Sequence, residues 1–175
     1  MPNLKDIERQ IESVKNTKQI TSAMKMVATA KLKRAEERVE ASRPYANKLR
    51  RVIASMAART EADDHDLLGE VESHDEIYIL AVSSNRGLCG SFNSNLFRKV
   101  EEFVERQKIA DADIRVATIG DKAEGYFERN DYDIDESYGD VIGDITYEKA
   151  KGIGRDAIDL YLNGHPDAVY LAYNS

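Results

Sequence analysis

At 175 residues the chain has the length of a single domain, which excludes a large multidomain enzyme; 42% hydrophobic and 33% charged residues with ten Gly and three Pro exclude collagenous, low-complexity or largely disordered architectures. One cysteine, Cys89, supports neither a disulfide framework nor a Cys-rich zinc site, and the longest apolar run, 77–82, is far short of the roughly 20 residues a membrane-spanning helix needs. The net charge of −7 hides a division: residues 1–60 carry seven Lys and seven Arg against six acids, or +8, leaving 11 of the 25 basic and 26 of the 32 acidic groups, or −15, to the remainder. Such asymmetry marks two parts with different partners, the basic part suited to nucleic acid or to an acidic protein surface. No charged segment followed by an apolar stretch begins the chain, so the reading is a soluble, intracellular protein.

Residues 3 to about 58 read as one helix or two nearly collinear ones, with Asn3 placed to cap the first turn after Pro2. Heptads counted from Leu4 give an a series of Leu4, Ile11, Lys18, Lys25, Leu32, Val39, Ala46 and Ile53, and a d series of Ile7, Val14, Thr21, Ala28, Ala35, Ser42, Leu49 and Met56. Twelve of these sixteen positions are apolar, the pattern of a left-handed coiled coil, so the helix needs a partner helix. The polar exceptions Lys18, Thr21 and Lys25 cluster where Ile20, Met24 and Val27 form an offset stripe, which points to a second surface. Pro44 removes a backbone donor and is expected to kink the helix or interrupt it locally. Some 55 residues at about 1.5 Å each span roughly 80 Å, more than the rest of the chain can match, so the helix is expected to project. The alternative is a hairpin folded at Pro44; against it, no Gly occurs before Gly69.

The segment 61–76 holds eight acids and no Lys or Arg, and reads as a solvated acidic linker. Its Asp63-Asp64-His65-Asp66 run has the ligand types for a divalent cation, but adjacent loop residues seldom converge as opposed ligands. Beyond it, 76–83 is a continuous apolar strand, and 93–108 an amphipathic helix with Leu96, Val100, Phe103 and Val104 on one face. A second strand spans 114–119, a short helix follows Asp121 with Glu124 as its capping pair, a weak strand lies near 132–134, a helix covers 147–163 and a last strand 168–173. Alternating strands and helices of this kind imply a Rossmann-like, mainly parallel sheet covered by helices. The organisation is therefore α/β: a coiled-coil shaft helix over 1–60, a linker over 61–75 and an α/β body over 76–175.

Motifs for chemistry are weak. The turn Ser83-Ser84-Asn85-Arg86-Gly87-Leu88-Cys89-Gly90 follows a strand and leads into a helix, where such sheets often hold phosphate on backbone amides, yet it lacks the Lys-Ser/Thr ending of a P-loop. Gly152-Ile153-Gly154-Arg155-Asp156-Ala157 matches a dinucleotide glycine pattern but sits within a helical segment. Cys89 beside Arg86 has no nearby His to serve as a base, and His65, His74 and His165 show no metal spacing. No catalytic, metal or cofactor-binding set emerges.

Two stretches carry a resemblance. Residues 11–28, IESVKNTKQITSAMKMVA, continuing through Lys31-Leu32-Lys33-Arg34-Ala35 and Ser42-Arg43-Pro44-Tyr45-Ala46, resemble the N-terminal helix of the gamma subunit of F-type ATP synthases. Residues 85–93, NRGLCGSFN, resemble that family's Asp-Arg-Gly-Leu-Cys-Gly-Gly-Phe-Asn, with Asn85 and Ser91 as departures. The resemblance implies a central rotating shaft, not itself a catalyst, that turns with a membrane ring and drives the binding changes of the catalytic head. It implies that the long helix pairs with a C-terminal helix as an antiparallel coiled coil through Leu4, Ile7, Ile11, Val14, Ala28, Leu32, Ala35, Val39, Leu49, Ile53 and Met56. Because the family's chains run on past the point matching Ser175, this one reads as truncated. Carried over by position, Thr17, Lys18, Ile20, Thr21, Met24, Lys25, Val27 and Lys31 face a moving acidic segment of a beta subunit, and Arg86, Gly87, Leu88, Cys89 and Gly90 lie close to the shaft below the head. The implied partners are the alpha and beta subunits, the epsilon subunit and the membrane c-ring, with no nucleic acid, no direct nucleotide and no cofactor. The implied location is peripheral, on the cytoplasmic face of the plasma membrane. The rival readings are a basic coiled-coil nucleic-acid protein, which residues 1–60 serve poorly with Tyr45 as their one aromatic, and a nucleotide-dependent enzyme on the α/β body.

Overall fold

The computed structural model describes residues 3–61, 65–68, 75–108, 112–143, 145–163 and 166–174. Pro2, most of the acidic connector including Asp63, Asp64 and His74, and His165 lie outside them. The chain divides into two compact units, Met1–Glu61 and Ala62–Ser175.

The first unit is one helix, α1, Leu4–Ala57, of 54 residues. Its start is fixed locally: Asn3 is extended and its backbone N–H donates to Asp6 Oδ2 at 3.3 Å, the return half of a capping box. The helix runs through Pro44 with no break in helical backbone. The local interruption expected there is not found, because a single missing donor leaves the flanking hydrogen bonds to carry the turn. Ser42, two residues earlier, donates its hydroxyl to Val39 O at 3.0 Å.

The second unit is a four-stranded sheet of β1 (Glu76–Val82), β2 (Asp113–Ile119), β3 (Asp133–Ser137) and β4 (Ala168–Ala172), connected by α2 (Phe92–Lys108), α3 (Asp121–Phe127) and α4 (Tyr147–Leu162). All pairings are parallel and the strand order is β3-β2-β1-β4, so the chain steps outward twice and then returns past β1. With right-handed crossovers, that reversal sends α4 to the face opposite α2 and α3. The core divides accordingly. Ile77, Ile79 and Ala81 of β1 with Val116 of β2 meet Leu96, Phe97, Val100 and Val104 of α2 and Phe127 of α3; Tyr78, Leu80, Ala117 and Ile119 meet Ile153 of α4 on the other face. Phe127 is wholly buried, edge-on to Phe97, Tyr126 and Tyr132. At the amino ends, Asp167 Oδ2 accepts from the backbone N–H of both Asp75 and Glu76 at 2.9 Å, tying the entry of β4 to that of β1.

The element order is the one the sequence implies, with two local differences. The weak strand extends through Ser137, with a register irregularity between Val116 and Ala117 on its neighbour. Helix α3 is not capped by Asp121 and Glu124, which fall inside it; Gly120 precedes it at φ +98°, and the capping oxygen comes from the residue that follows β1, Ser83, whose Oγ accepts from Ala123 N–H at 2.8 Å. A buried hydroxyl from a neighbouring strand end does the work that a local carboxylate does on an exposed helix.

Candidate functional site

Two surfaces hold the residues singled out by sequence. On α1 no residue is buried, and the coiled-coil positions Leu4, Ile7, Ile11, Val14, Leu32, Val39, Leu49, Ile53 and Met56 all remain exposed, as do Ala28 and Ala35 between them. Ile20, Met24 and Val27, the offset stripe, are 61%, 66% and 57% exposed. The hydroxyls here turn inward: Thr17 donates to Ser13 O at 2.8 Å and Thr21 to Thr17 O at 2.6 Å. With that proton used, Thr21 offers mainly its methyl outward, so two of the four polar exceptions in the heptads, Thr21 and Ser42, are less polar than their names imply. Lys18 and Lys25 are the two true exceptions. Neither they nor Lys31 has an ion-pair partner among the described residues, where the one ion pair on α1 joins Lys33 to Glu37 at 4.0 Å.

The second surface is the loop between β1 and α2, at the carboxyl end of the central strand, where the strand order reverses between β1 and β4. Two asparagines frame it. At its entry Asn85 Oδ1 accepts from Asp121 N–H at 3.3 Å and its Nδ2 donates to Gly139 O at 3.4 Å, so one side chain ties the loops that follow β1, β2 and β3. The family's Asp supplies the acceptor but has no N–H₂ for Gly139, which gives this departure a structural account. At the exit Asn93 accepts from Ser84 N–H at 3.1 Å, and its Nδ2 donates to Ser84 Oγ at 2.9 Å and to Cys89 Sγ at 3.3 Å. Ser84 Oγ donates in turn to Arg86 O at 2.7 Å. Ser91 lies just before α2, its carbonyl accepting from Asn95 N–H at 2.9 Å and its hydroxyl from Asn95 Nδ2 at 3.2 Å.

Within this frame Arg86, Gly87, Leu88, Cys89 and Gly90 are all exposed. Gly90 has φ +61° and Leu88 φ +60°. A left-handed backbone is natural for glycine and costs leucine about 1–2 kcal/mol. The Arg86 guanidinium makes no hydrogen bond or ion pair among the described residues, and Cys89 is a free thiol. Sequence reasoning assigned a role to the tip of this loop alone; it placed Ser83, Ser84 and Asn93 in the turn and its motif without giving them one, and it did not single out Gly120. The available signal was a polar residue at each end of a Gly-bounded turn; which neighbours those residues meet is decided by strand order.

Beneath α4 the carboxyl ends of β1, β2 and β4 open into an apolar cavity of about 560 Å³, walled by Leu80, Val82, Ile119, Ile142, Ile153 and Leu171. The polar groups at its edge are committed elsewhere, Ser83 to α3 and Ser84 to the loop. Gly152 and Gly154 lie inside α4, so that glycine pattern is part of a helix and not a strand-to-helix turn. Among the described residues no group of three or more His, Cys, Asp or Glu is arranged to hold a metal ion; His65 Nδ1 accepts from Leu67 N–H at 3.1 Å.

A family profile described as "ATP synthase" matches residues 3–175. The chain is 42% identical over 177 residues to an ATP synthase gamma chain of Anaeromyxobacter dehalogenans (strain 2CP-1 / ATCC BAA-258), covering 99% of this chain and 61% of that one. It is 41% identical over 176 residues to one of Geobacter sp. (strain M21), covering 100% and 60%, and 35% identical over 177 residues to one of Chlorobaculum parvum (strain DSM 263 / NCIMB 8327), covering 99% and 61%. The chain thus spans about three-fifths of the length of these curated relatives.

Proposed function

The chain belongs to the ATP synthase gamma-chain family, and from that premise we propose that it forms part of the central rotor shaft of an F-type ATP synthase. In this reading it couples ion-driven rotation to ATP synthesis in a head of alpha and beta subunits, and performs no bond chemistry itself. Its docking partners are the epsilon subunit and the membrane ring, and it joins the membrane-associated complex peripherally. No helix among the described residues is long and apolar enough to cross a membrane.

The observation that carries the reading is α1: 54 residues of unbroken helix with an uncovered heptad stripe along it and free cations among the apolar groups. Most helical stability in proteins comes from packing of an apolar face and not from propensity, so the uncovered stripe calls for a partner helix. A shaft that turns must also release each contact it makes. Exposed ion pairs, worth about 0.2–1 kcal/mol each, meet that need better than buried ones. Lys18, Lys25, Lys31, Lys33 and Arg34 are spread along α1 and are assigned transient pairing with carboxylates of the beta subunits.

Met24 provides the test. It is 66% exposed beside Lys25 in the offset stripe, where an apolar contact is expected. Met24→Lys adds a long cation able to form a pair that persists through the cycle. In membrane vesicles carrying the assembled complex, this variant is expected to lower the ratio of ion pumping to ATP hydrolysis, while single changes of Lys18, Lys25 or Lys31 to Ala alter it little. An unchanged ratio for Met24→Lys alongside a large drop for one of the Lys→Ala variants overturns the assignment.

A further inference from the structure

The two edges of the sheet differ in charge. β3 closes one side as Asp133-Ile134-Asp135-Glu136-Ser137, so a second copy approaching it would set carboxylate against carboxylate. β4 closes the other as Ala168-Val169-Tyr170-Leu171-Ala172, with no charged residue from Ala168 to Ser175. Its one strand partner among the described residues is β1, and Val169, Tyr170 and Leu171 are all exposed, Leu171 at 58%. An uncharged, apolar edge whose outer backbone groups are unpaired is a template for a further strand. Both faces beside it are grooved. On the α2 side a groove of about 220 Å³ runs past Val100, Phe103 and Tyr170, and the rings of Phe103 and Tyr170 lie 4.7 Å apart. On the α4 side a cavity of about 350 Å³ is walled by Leu67, Ile158, Tyr161 and Val169.

The strand's own sequence identifies the occupant. Read in either direction about Tyr170, β4 gives the same order of side-chain sizes: Ala, a branched aliphatic, Tyr, a branched aliphatic, Ala. Antiparallel pairing about a two-fold axis at Tyr170 therefore sets Ala168 against Ala172 of the second copy, Val169 against Leu171 and Tyr170 against Tyr170, like beside like at every position. We infer that β4 pairs in this register with β4 of a second copy of the chain, joining the two four-stranded sheets into one. Tyr170 lies on the α2 face, and Val169 and Leu171 on the α4 face. The incoming strand thus brings an aromatic to the groove beside Phe103 and aliphatics to the cavity beside Ile158, so apolar surface is covered on both sides of the new pair. This pairing is independent of the functional reading above, since it draws on the sheet edge alone.

The test uses the whole chain in a Cys89→Ser background, so that an introduced cysteine is the only thiol. Chains carrying Ala168→Cys and Ala172→Cys are mixed and treated with a short thiol-to-thiol cross-linker. Opposed residues of an antiparallel pair stand about 4.5–5.5 Å apart at Cα, whereas the two copies of residue 172 would be four positions out of register, about 13 Å apart along the strands. The mixture is expected to give a cross-linked dimer and neither chain alone to do so, with the parent chain sedimenting as two copies. Leu171→Lys and Val169→Lys each put a charge on the edge, and each is expected to lower the cross-linked yield at least about tenfold while the melting temperature stays within a few degrees of the parent's. Cross-linking of either chain with itself overturns the antiparallel register, and a yield that survives both lysine variants overturns the edge contact. A yield lost only together with a collapse of the melting temperature in both shows a role inside the body and overturns it too. A sedimenting dimer that gives no link in the mixture is held elsewhere, along the uncovered stripe of α1, and a single-copy mass leaves the edge to a strand of another source; either result overturns the pairing.

Discussion

Gly120 is held where no other residue fits without displacement. Its φ of +98° is outside the range of L side chains, and a Cβ there would stand 2.7 Å from both Ser83 O and Ile142 Cδ1, and 2.9 Å from Ser83 Oγ. Backbone strain and overpacking each cost on the order of 1–3 kcal/mol, so Gly120→Ala is expected to lose about 2–4 kcal/mol in urea unfolding. Ser83→Ala leaves the Ala123 N–H without its cap, for a loss of about 1–2 kcal/mol. Because the two residues touch, the double variant is expected to lose less than the sum, and strictly additive losses would show that Gly120 does not act through Ser83. Gly120 belongs to no motif in the sequence, and Ser83 only opens the turn after β1: a glycine ahead of a helix reads as an ordinary turn, and the need for it is set by a strand end 37 positions away, where Ser83 donates to Gly120 O at 3.2 Å.

Among the elements, α1 is the one the sequence specifies most completely. Its cap, its heptads and its lack of glycine all concern neighbours within one or two turns, and its bounds of Leu4–Ala57 follow from them. Pro44 is the exception inside it. The proline leaves the Glu40 carbonyl without its i+4 donor, and a proline in a helix interior costs about 3 kcal/mol relative to Ala. Pro44→Ala is therefore expected to increase ellipticity at 222 nm and to slow hydrogen exchange around residues 40–48. Unchanged exchange there would mean that the helix already absorbs the defect at no cost. Helix α3 is the contrary case, seven residues long and dependent on Ser83 for its start. Seven residues are too few to be stable alone, so α3 exists because β1 and β2 lie where they do.

Across the whole molecule the phenols of the α/β body tie stability to pH. Burial first and Asp135 second push Tyr78 up to about 12, and the hydrogen bond from Tyr126 to Glu101 Oε1 at 2.6 Å, with burial, pushes Tyr126 up to about 12. Tyr132 is raised chiefly by burial, and Tyr138 well above the usual range by burial and by its bond to Asp156 Oδ2 at 3.0 Å. A raised phenol pKa means that the folded state favours the neutral form. The stabilisation is full below the ordinary value of 10.0 and is lost as pH climbs from there toward about 12. The melting temperature is expected to fall through that window, and Tyr126→Phe to make the fall shallower. An equally steep fall in Tyr126→Phe would place the alkaline sensitivity elsewhere.

The sequence by itself determined the long helix with its coiled-coil stripe, the alternation of strands and helices, the division between basic and acidic parts, and the two motif-bearing segments on which the family membership was legible. These are short-range properties: periodicities of 2 and 3.6, caps, and local runs of charge. Tertiary structure alone decided the order β3-β2-β1-β4, the passage of α4 to the second face, the capping of α3 by Ser83 and the framing of Leu88 by Asn85 and Asn93. Each of those depends on which strand ends become neighbours, and the right-handed crossover and the reversal of strand order settle that across dozens of residues, beyond the reach of any local pattern.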